Sequence, residues 1–80
     1  MKVKEILNME AEELQRMMTD EEFYRMKDLG FQYTWQLLEL MQDGARELLK
    51  TDESATEFPS ISEYLDYLEE INQINEDIEM

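Results

Sequence analysis

The residues of this chain best suited to bind another molecule are ten carboxylates that follow Lys50 with no Lys, Arg or His among them. The chain of 80 residues carries a net charge of −14, so its excess of acid is concentrated after Lys50. A negative field attracts basic proteins and repels nucleic-acid phosphates and anionic membranes. We therefore expect a basic protein as partner, with no direct binding to nucleic acid or membrane. The ten residues are Asp52, Glu53, Glu57, Glu63, Asp66, Glu69, Glu70, Glu76, Asp77 and Glu79.

The groups that would make this chain an enzyme or a metalloprotein are missing from its sequence. There is no Cys and no His, which removes thiol nucleophiles, Ser–His pairs and the Glu-x-x-His motif of di-iron bundles. No glycine-rich phosphate loop occurs, and no stretch has the ligand spacing of an EF-hand loop. We expect a protein that is not an enzyme and that holds no metal and no cofactor.

The elements that must position the carboxylates are predicted to be helices. The chain contains two glycines, one proline and long runs of Leu, Met, Glu, Gln and Lys, with no alternating strand pattern. Residues 1–80 should form a single small acidic domain, an all-α bundle of four to five helices. Thr19 with Glu22 and Ser60 with Glu63 have capping-box spacing, so a helix should begin after Thr19 and another after Ser60. The longest helix is expected at about 32–50 and the last at about 61–77, joined by an acidic linker over 51–60.

The apolar spacing predicts which residues fill the core. Phe31, Trp35, Leu38, Met41, Ala45 and Leu48 recur three and four residues apart along the longest helix. The last helix should pack on this one through Leu65, Leu68 and Ile71. Gly44 interrupts the longest helix, and it marks either a kink or a close contact between helices. Five methionines are candidates for core filling or for an adaptable docking groove: Met9, Met17, Met18, Met26 and Met41.

The last helix is predicted to have an acidic half and an apolar half. At about 100° per residue, Glu63, Asp66, Glu70 and Asp77 form one row, with axial steps of roughly 4.5, 6 and 10.5 Å. No base occurs within this helix, so we expect the row to be uncompensated. Tyr64 and Tyr67 fall on the apolar side, where each ring either is buried with its hydroxyl in water or anchors a partner. The expected partner-binding residues are Glu63, Asp66, Glu69, Glu70 and Asp77, extended by Asp52, Glu53 and Glu57, with Tyr64 and Tyr67.

An acidic helix face is most often simply solvated, and two functional hypotheses stand beside that interpretation. In size and charge the chain resembles small phage-encoded DNA mimics, such as anti-CRISPR and anti-restriction proteins. That resemblance implies an inhibitor in the host cytoplasm, which would fill the basic cleft of a nuclease or CRISPR effector. The alternative is a helical assembly adaptor or homodimer that binds through apolar Met, Leu and Ile stripes.

The sequence also predicts where the protein resides and how its carboxylates titrate. The N-terminal residues contain no apolar run of signal-peptide length and no membrane-spanning stretch occurs, which favours a cytoplasmic protein. Crowded carboxylates disfavour each other's charged form, so we expect raised pKa values in the folded state. Stability should then rise as the pH falls from neutrality.

Overall fold

Over residues 1–79 the protein is an all-α bundle of five helices. The computed structural model describes the backbone of residues 1–79 and the side chains of residues 1–72. The predicted fold class is confirmed. The central helix begins two residues later than expected and has 18 residues, so the prediction that it is the longest is wrong. The last helix continues two residues further than expected and is one residue longer, at 19 residues. The helices are α1 (Val3–Asn8), α2 (Ala11–Met17), α3 (Asp20–Asp28), α4 (Thr34–Thr51) and α5 (Ile61–Glu79).

Helices α1 and α2 are too short to be stable alone, and α4 holds both of them. Val3 and Ile6 of α1 and Leu14 of α2 are completely buried. The amide of Gln42 on α4 donates to the carbonyls of Ile6 at 3.0 Å and Met9 at 3.3 Å. Because the last carbonyls of a helix lack partners within the helix, these bonds satisfy the end of α1 while fixing it against α4.

Both predicted capping sites begin a helix. At α3, Glu22 N donates to Thr19 Oγ1 at 3.2 Å, and Thr19 N donates to Glu22 Oε1 at 2.8 Å, which is a complete capping box. At α5, Glu63 N donates to Ser60 Oγ at 3.3 Å, and the Ser60 hydroxyl donates to Glu63 Oε1 at 3.2 Å. Ser60 and Glu63 therefore cap α5 from the same two helix positions as Thr19 and Glu22 cap α3. At α5 the group that donates to the glutamate carboxylate is the serine hydroxyl, whereas at α3 it is the threonine backbone amide.

The centre of α4 supplies much of the core, as its apolar spacing predicts. Leu38, Met41 and Ala45 are buried, and Leu37 is completely buried beside them. The prediction that Trp35 is a core residue is wrong, because its side chain is 50% exposed. Residues 31–33 are not helical, so Trp35 lies in the first turn of α4, where it stacks on exposed Tyr33 at 6.4 Å between ring centroids.

The methionines mostly fill the core. Met9, Met26 and Met41 are buried, whereas Met17 is about half exposed. The three buried side chains belong to the same apolar cluster as Ile6. This arrangement fits the gap-filling role of methionine and leaves those three side chains inside the bundle, away from any surface groove.

Gly44 marks a close contact within an uninterrupted helix. α4 runs through this position without a break. A Cβ built on Gly44 would lie 3.6 Å from the Phe58 ring and 3.7 Å from the Tyr64 hydroxyl oxygen. Of the two roles weighed from the sequence, the close approach is the one observed. Phe58 belongs to the linker, and its buried ring covers α4 at this glycine.

The linker between α4 and α5 is held by backbone pairing to the start of the chain. Val3 N donates to Thr56 O at 3.0 Å, and Phe58 N donates to Met1 O at 2.7 Å. These bonds flank an isolated antiparallel bridge between Lys2 and Glu57. Although the linker has no apolar periodicity, the paired backbone and Phe58 give it a defined position on the bundle.

Helix α5 lies closest to α3, and this corrects part of its predicted packing on α4. Leu65 is buried and Leu68 is half-buried, but Ile71 is exposed. The contact with α4 is made by Tyr64, whose hydroxyl donates to the carbonyl of Leu40 at 3.4 Å. The prediction that Ile71 packs into the core is therefore wrong, because α5 passes the edge of the bundle after Leu68.

Candidate protein-binding surface

Three members of the acidic row predicted on α5, Glu63, Asp66 and Glu70, border one depression of the surface together with Glu69. We define the anionic face as Glu63, Asp66, Glu69 and Glu70, which line one shallow depression together with Tyr67. Glu63 and Glu70 are exposed, and they are seven positions apart in the sequence. They therefore lie on nearly the same side of the helix, roughly 10.5 Å apart along its axis. Asp77, the last member of the predicted row, lies outside the residues whose side chains are described.

Arg25 of α3 compensates two of these carboxylates. Its Nε donates to Glu69 Oε1 at 3.0 Å, and its Nη2 donates to Asp66 Oδ1. The expectation of uncompensated charge is thus wrong at Asp66, a member of the predicted row, and at Glu69 on the same acidic half of the helix. This pairing could not be predicted from the sequence, because Arg25 is more than forty residues from Asp66 and Glu69 and belongs to a different helix.

The Arg25 ion pairs are formed at the edge of the bundle, with limited access to water. The arginine side chain is 23% exposed, whereas Asp66 remains 68% exposed. Hydrogen bonds from Arg25 to Glu69 and then to Asp66 raise the pKa of Arg25 above its ordinary value. Its positive charge is therefore permanent, and it holds two α5 carboxylates in fixed positions.

A second polar contact joins α3 to α5 one turn earlier. The Ser62 hydroxyl donates to Glu22 Oε2 at 2.7 Å, while the other oxygen of Glu22 caps α3. Partial burial opposes ionisation of Glu22, but bonds from the Thr19 backbone and from Ser62 outweigh it and lower the pKa below 4.5. Ser62, Asp66 and Glu69 are spaced four and three residues apart, so α3 holds one side of α5 over two turns.

The linker carboxylates occupy a different neighbourhood that contains lysines. Glu53 lines a depression with Lys2 and Lys4, and Glu57 lies 3.7 Å from the Lys2 ammonium. Asp52 accepts hydrogen bonds from the hydroxyl of Ser54 at 2.7 Å and from its backbone amide at 3.1 Å. These bonds lower the pKa of Asp52, which is opposite to the expected rise. The extension of the anionic face by Asp52, Glu53 and Glu57 stays a prediction.

The two tyrosines of α5 have different environments. Tyr64 is only 8% exposed, and its ring packs on Phe58 at 5.7 Å between centroids. Burial raises the pKa of its hydroxyl. We therefore correct the interpretation of Tyr64 as a surface anchor, since it is a core residue. Tyr67 is 54% exposed and lies among the carboxylates of the anionic face.

Sequence reasoning missed two residues that shape this surface. Arg25 was not recognised as the counter-charge of α5, and Phe58 was not recognised as the anchor of the linker. A signal for Phe58 did exist, because it is the one large aromatic side chain between Thr51 and Ser60. For Arg25, no spacing within α3 distinguishes it from Lys27.

The described side chains of residues 1–72 contain no group of three or more carboxylates close enough to hold a metal ion. Of the helices in residues 1–79, none combines the length and the hydropathy required to cross a membrane. Comparisons of the chain with protein-family models, with curated proteins and with solved structures found no match.

Proposed function

We propose that this protein is a small inhibitor that binds a basic nucleic-acid-binding protein through the anionic face of α5. The supporting observation is that Glu63 and Glu70 stay exposed on one side of a capped helix, roughly 10.5 Å apart along its axis. In the proposal their carboxylates occupy positions where the partner's cleft receives backbone phosphates. Lys and Arg side chains of that cleft are the groups they attract.

The ordering of the face supports binding over simple solvation. Arg25 and Glu22 hold α5 from α3, and the Ser60 cap fixes the start of the helix. Charges that are already positioned lose less conformational entropy on binding than charges on a flexible tail. The surface therefore has the pre-organisation that a phosphate mimic requires.

Asp66 and Glu69 contribute differently from Glu63 and Glu70 under this proposal. Their ion pairs with Arg25 reduce the net charge that they present to a partner. Asp66 remains largely exposed, so a partner arginine can share it with Arg25. Glu63 and Glu70 then carry most of the electrostatic attraction, and Asp66 adds a positioned acceptor.

The biological setting is part of the same proposal. A phage-encoded inhibitor of the anti-CRISPR or anti-restriction type would act in the host cytoplasm on a nuclease or CRISPR effector. It would act by occupancy of the cleft and without catalysis.

The experiment is partner recovery from a bacterial lysate with matched charge variants. The test variant is Glu63→Gln with Glu70→Gln, where glutamine preserves shape and keeps an acceptor at the capping position. The control is Glu10→Gln with Glu39→Gln, which removes the same charge from exposed positions outside α5. Each protein is immobilised at about 50 mM and about 200 mM salt, concentrations between which phosphate-type contacts weaken strongly.

The proposal predicts that the wild-type and control proteins recover the same nucleic-acid-binding proteins at low salt, and that the test variant loses them. Recovery of those proteins by all three forms, or at both salt concentrations equally, would contradict it. Circular dichroism of each form checks that the helices are intact.

A further inference from the structure

Helix α5 carries an exposed apolar strip away from the side of the helix that Arg25 holds. Tyr67 is 54% exposed and Ile71 is 36% exposed, and they lie one helical turn apart. Their side of the helix is about 150° around the axis from the side of Asp66 and Glu69, which Arg25 holds. Tyr67 thus faces solvent among the carboxylates of the anionic face, and Ile71 faces solvent at the edge of a depression that it shares with Leu29 and Phe31.

The sequence continues this strip with a coiled-coil spacing. Ile74 and Ile78 follow Ile71, which gives steps of four, three and four residues from Tyr67 onward. Apolar residues in alternating steps of four and three form the seam by which one helix packs along another. The backbone of α5 is helical as far as Glu79, so a seam of this spacing has a continuous helix beneath it.

The charges beside the strip decide what can cover it. Glu63 and Glu70 lie within about 60° of Tyr67 around the helix, and α5 contains no base. A second copy of the chain would bring the same acids against them, at a net charge of −14 for each copy. Like charges at the edges of a helical seam oppose pairing, whereas Lys and Arg there favour it.

We propose that the strip of Tyr67 and Ile71 docks an amphipathic helix of a different protein, with its apolar residues on the strip and its Lys or Arg side chains on Glu63 and Glu70. This inference rests on the proposed function for the sign of the partner's charge, and it adds the structural element that makes the contact. Apolar packing on the strip then supplies short-range affinity, and the anionic face supplies attraction and register.

The test uses two synthetic helical peptides as probes. Both have Leu and Ile at the seam positions, and they differ only at the flanking positions, which are Lys in one and Glu in the other. The strip variant is Tyr67→Ala with Ile71→Ala. The control is Tyr24→Ala with Leu40→Ala, which truncates an exposed tyrosine and an exposed aliphatic residue on other helices. Titration calorimetry measures binding to each form.

We expect the wild-type and control proteins to bind the Lys peptide, the strip variant to bind it at least about tenfold more weakly, and none to bind the Glu peptide. Equal weakening by the strip and control variants would overturn the proposal, as would equal binding of both peptides. A wild-type dimer in sedimentation that the strip variant dissociates would also overturn it, because a second copy would then cover the strip.

The two experiments distinguish failure of the helix-docking proposal from failure of the proposed function. If Glu63→Gln with Glu70→Gln weakens binding of the Lys peptide while the strip variant does not, the strip is not the docking site and the anionic face still is. If the strip variant alone weakens binding and partner recovery from the lysate is unaffected by the Gln variant, the helix-docking step stands while the phosphate-mimic function fails.

Discussion

Arg25 Nε donates a hydrogen bond to Glu69 Oε1 across 3.0 Å and so joins α3 to α5. The same guanidinium binds Asp66 one turn earlier on α5. This arginine neutralises part of the acidic helix and also orients it. Glu63 and Glu70 of the same anionic face stay exposed, and we propose that they carry most of the attraction to a partner.

The contribution of Arg25 to stability is tested by Arg25→Ala. The substitution leaves Asp66 and Glu69 facing each other without a counter-charge, so we expect the free energy of unfolding to fall by about 1 kcal/mol. Urea unfolding followed by circular dichroism measures this. Arg46→Ala is the control, since its pair with Asp43 lies within one exposed helix surface and should contribute less. Equal effects of the two substitutions would show that Arg25 does not join the helices.

Substitution by alanine is expected to have opposite effects on stability at the two glycines. Gly44→Ala should stabilise the protein by about 1 kcal/mol, because alanine favours the helix and its methyl meets Phe58 at an ordinary contact distance. Gly30→Ala should destabilise it by about 1–2 kcal/mol, because φ is +103° at that residue. Urea unfolding compares both with wild type. A loss of stability in Gly44→Ala would mean that the Phe58 ring cannot accept the methyl group.

The lowered pKa of Glu22 predicts that the protein loses stability in acid. The pKa of this side chain is lowered in the folded state, so its stabilising effect is complete above 4.5 and is lost as the pH falls through the lower folded value. Melting temperatures measured across that range should fall more in wild type than in Glu22→Gln. Glu21→Gln, which removes the same charge from the same turn, serves as control. If Glu22→Gln and wild type fell in parallel, the bonds from Thr19 and Ser62 would not favour the charged form.

The large net charge predicts that salt stabilises the fold. At a net charge of −14 the carboxylates of the chain repel one another. The Debye length, over which charges interact, falls from about 30 Å at 0.01 M salt to about 8 Å at 0.15 M. The melting temperature should therefore rise between these two concentrations. A falling melting temperature would show instead that ion pairs such as those of Arg25 outweigh the repulsion.

The helices could be predicted from local signals, and the pairing between helices could not. Capping residues such as Thr19 and Ser60 act on backbone groups three residues away, so the sequence contains the whole interaction. Periodicity assigns residues to a side of a helix, but it does not show where that helix leaves the core. For this reason Trp35 and Ile71 were assigned to the core and are exposed.

The residue types of the candidate surface could be predicted from the sequence, but its net charge could not. The helical periodicity after Ser60 predicted an acidic side of the last helix, and Glu63 and Glu70 are exposed as expected. The neutralisation of Asp66 and Glu69 depends on the packing of α3 against α5, which brings together residues more than forty positions apart. The same packing leaves Tyr67 at the surface and Tyr64 beneath Phe58.

The most direct test of the proposed function is displacement of duplex DNA from a recovered nucleic-acid-binding partner. Fluorescence anisotropy of labelled DNA on that partner is followed at about 50 mM salt as this protein is added. We predict complete competitive displacement, with about tenfold more protein required for Glu63→Gln with Glu70→Gln than for wild type. A partner that binds this protein and labelled DNA at the same time would contradict the proposal.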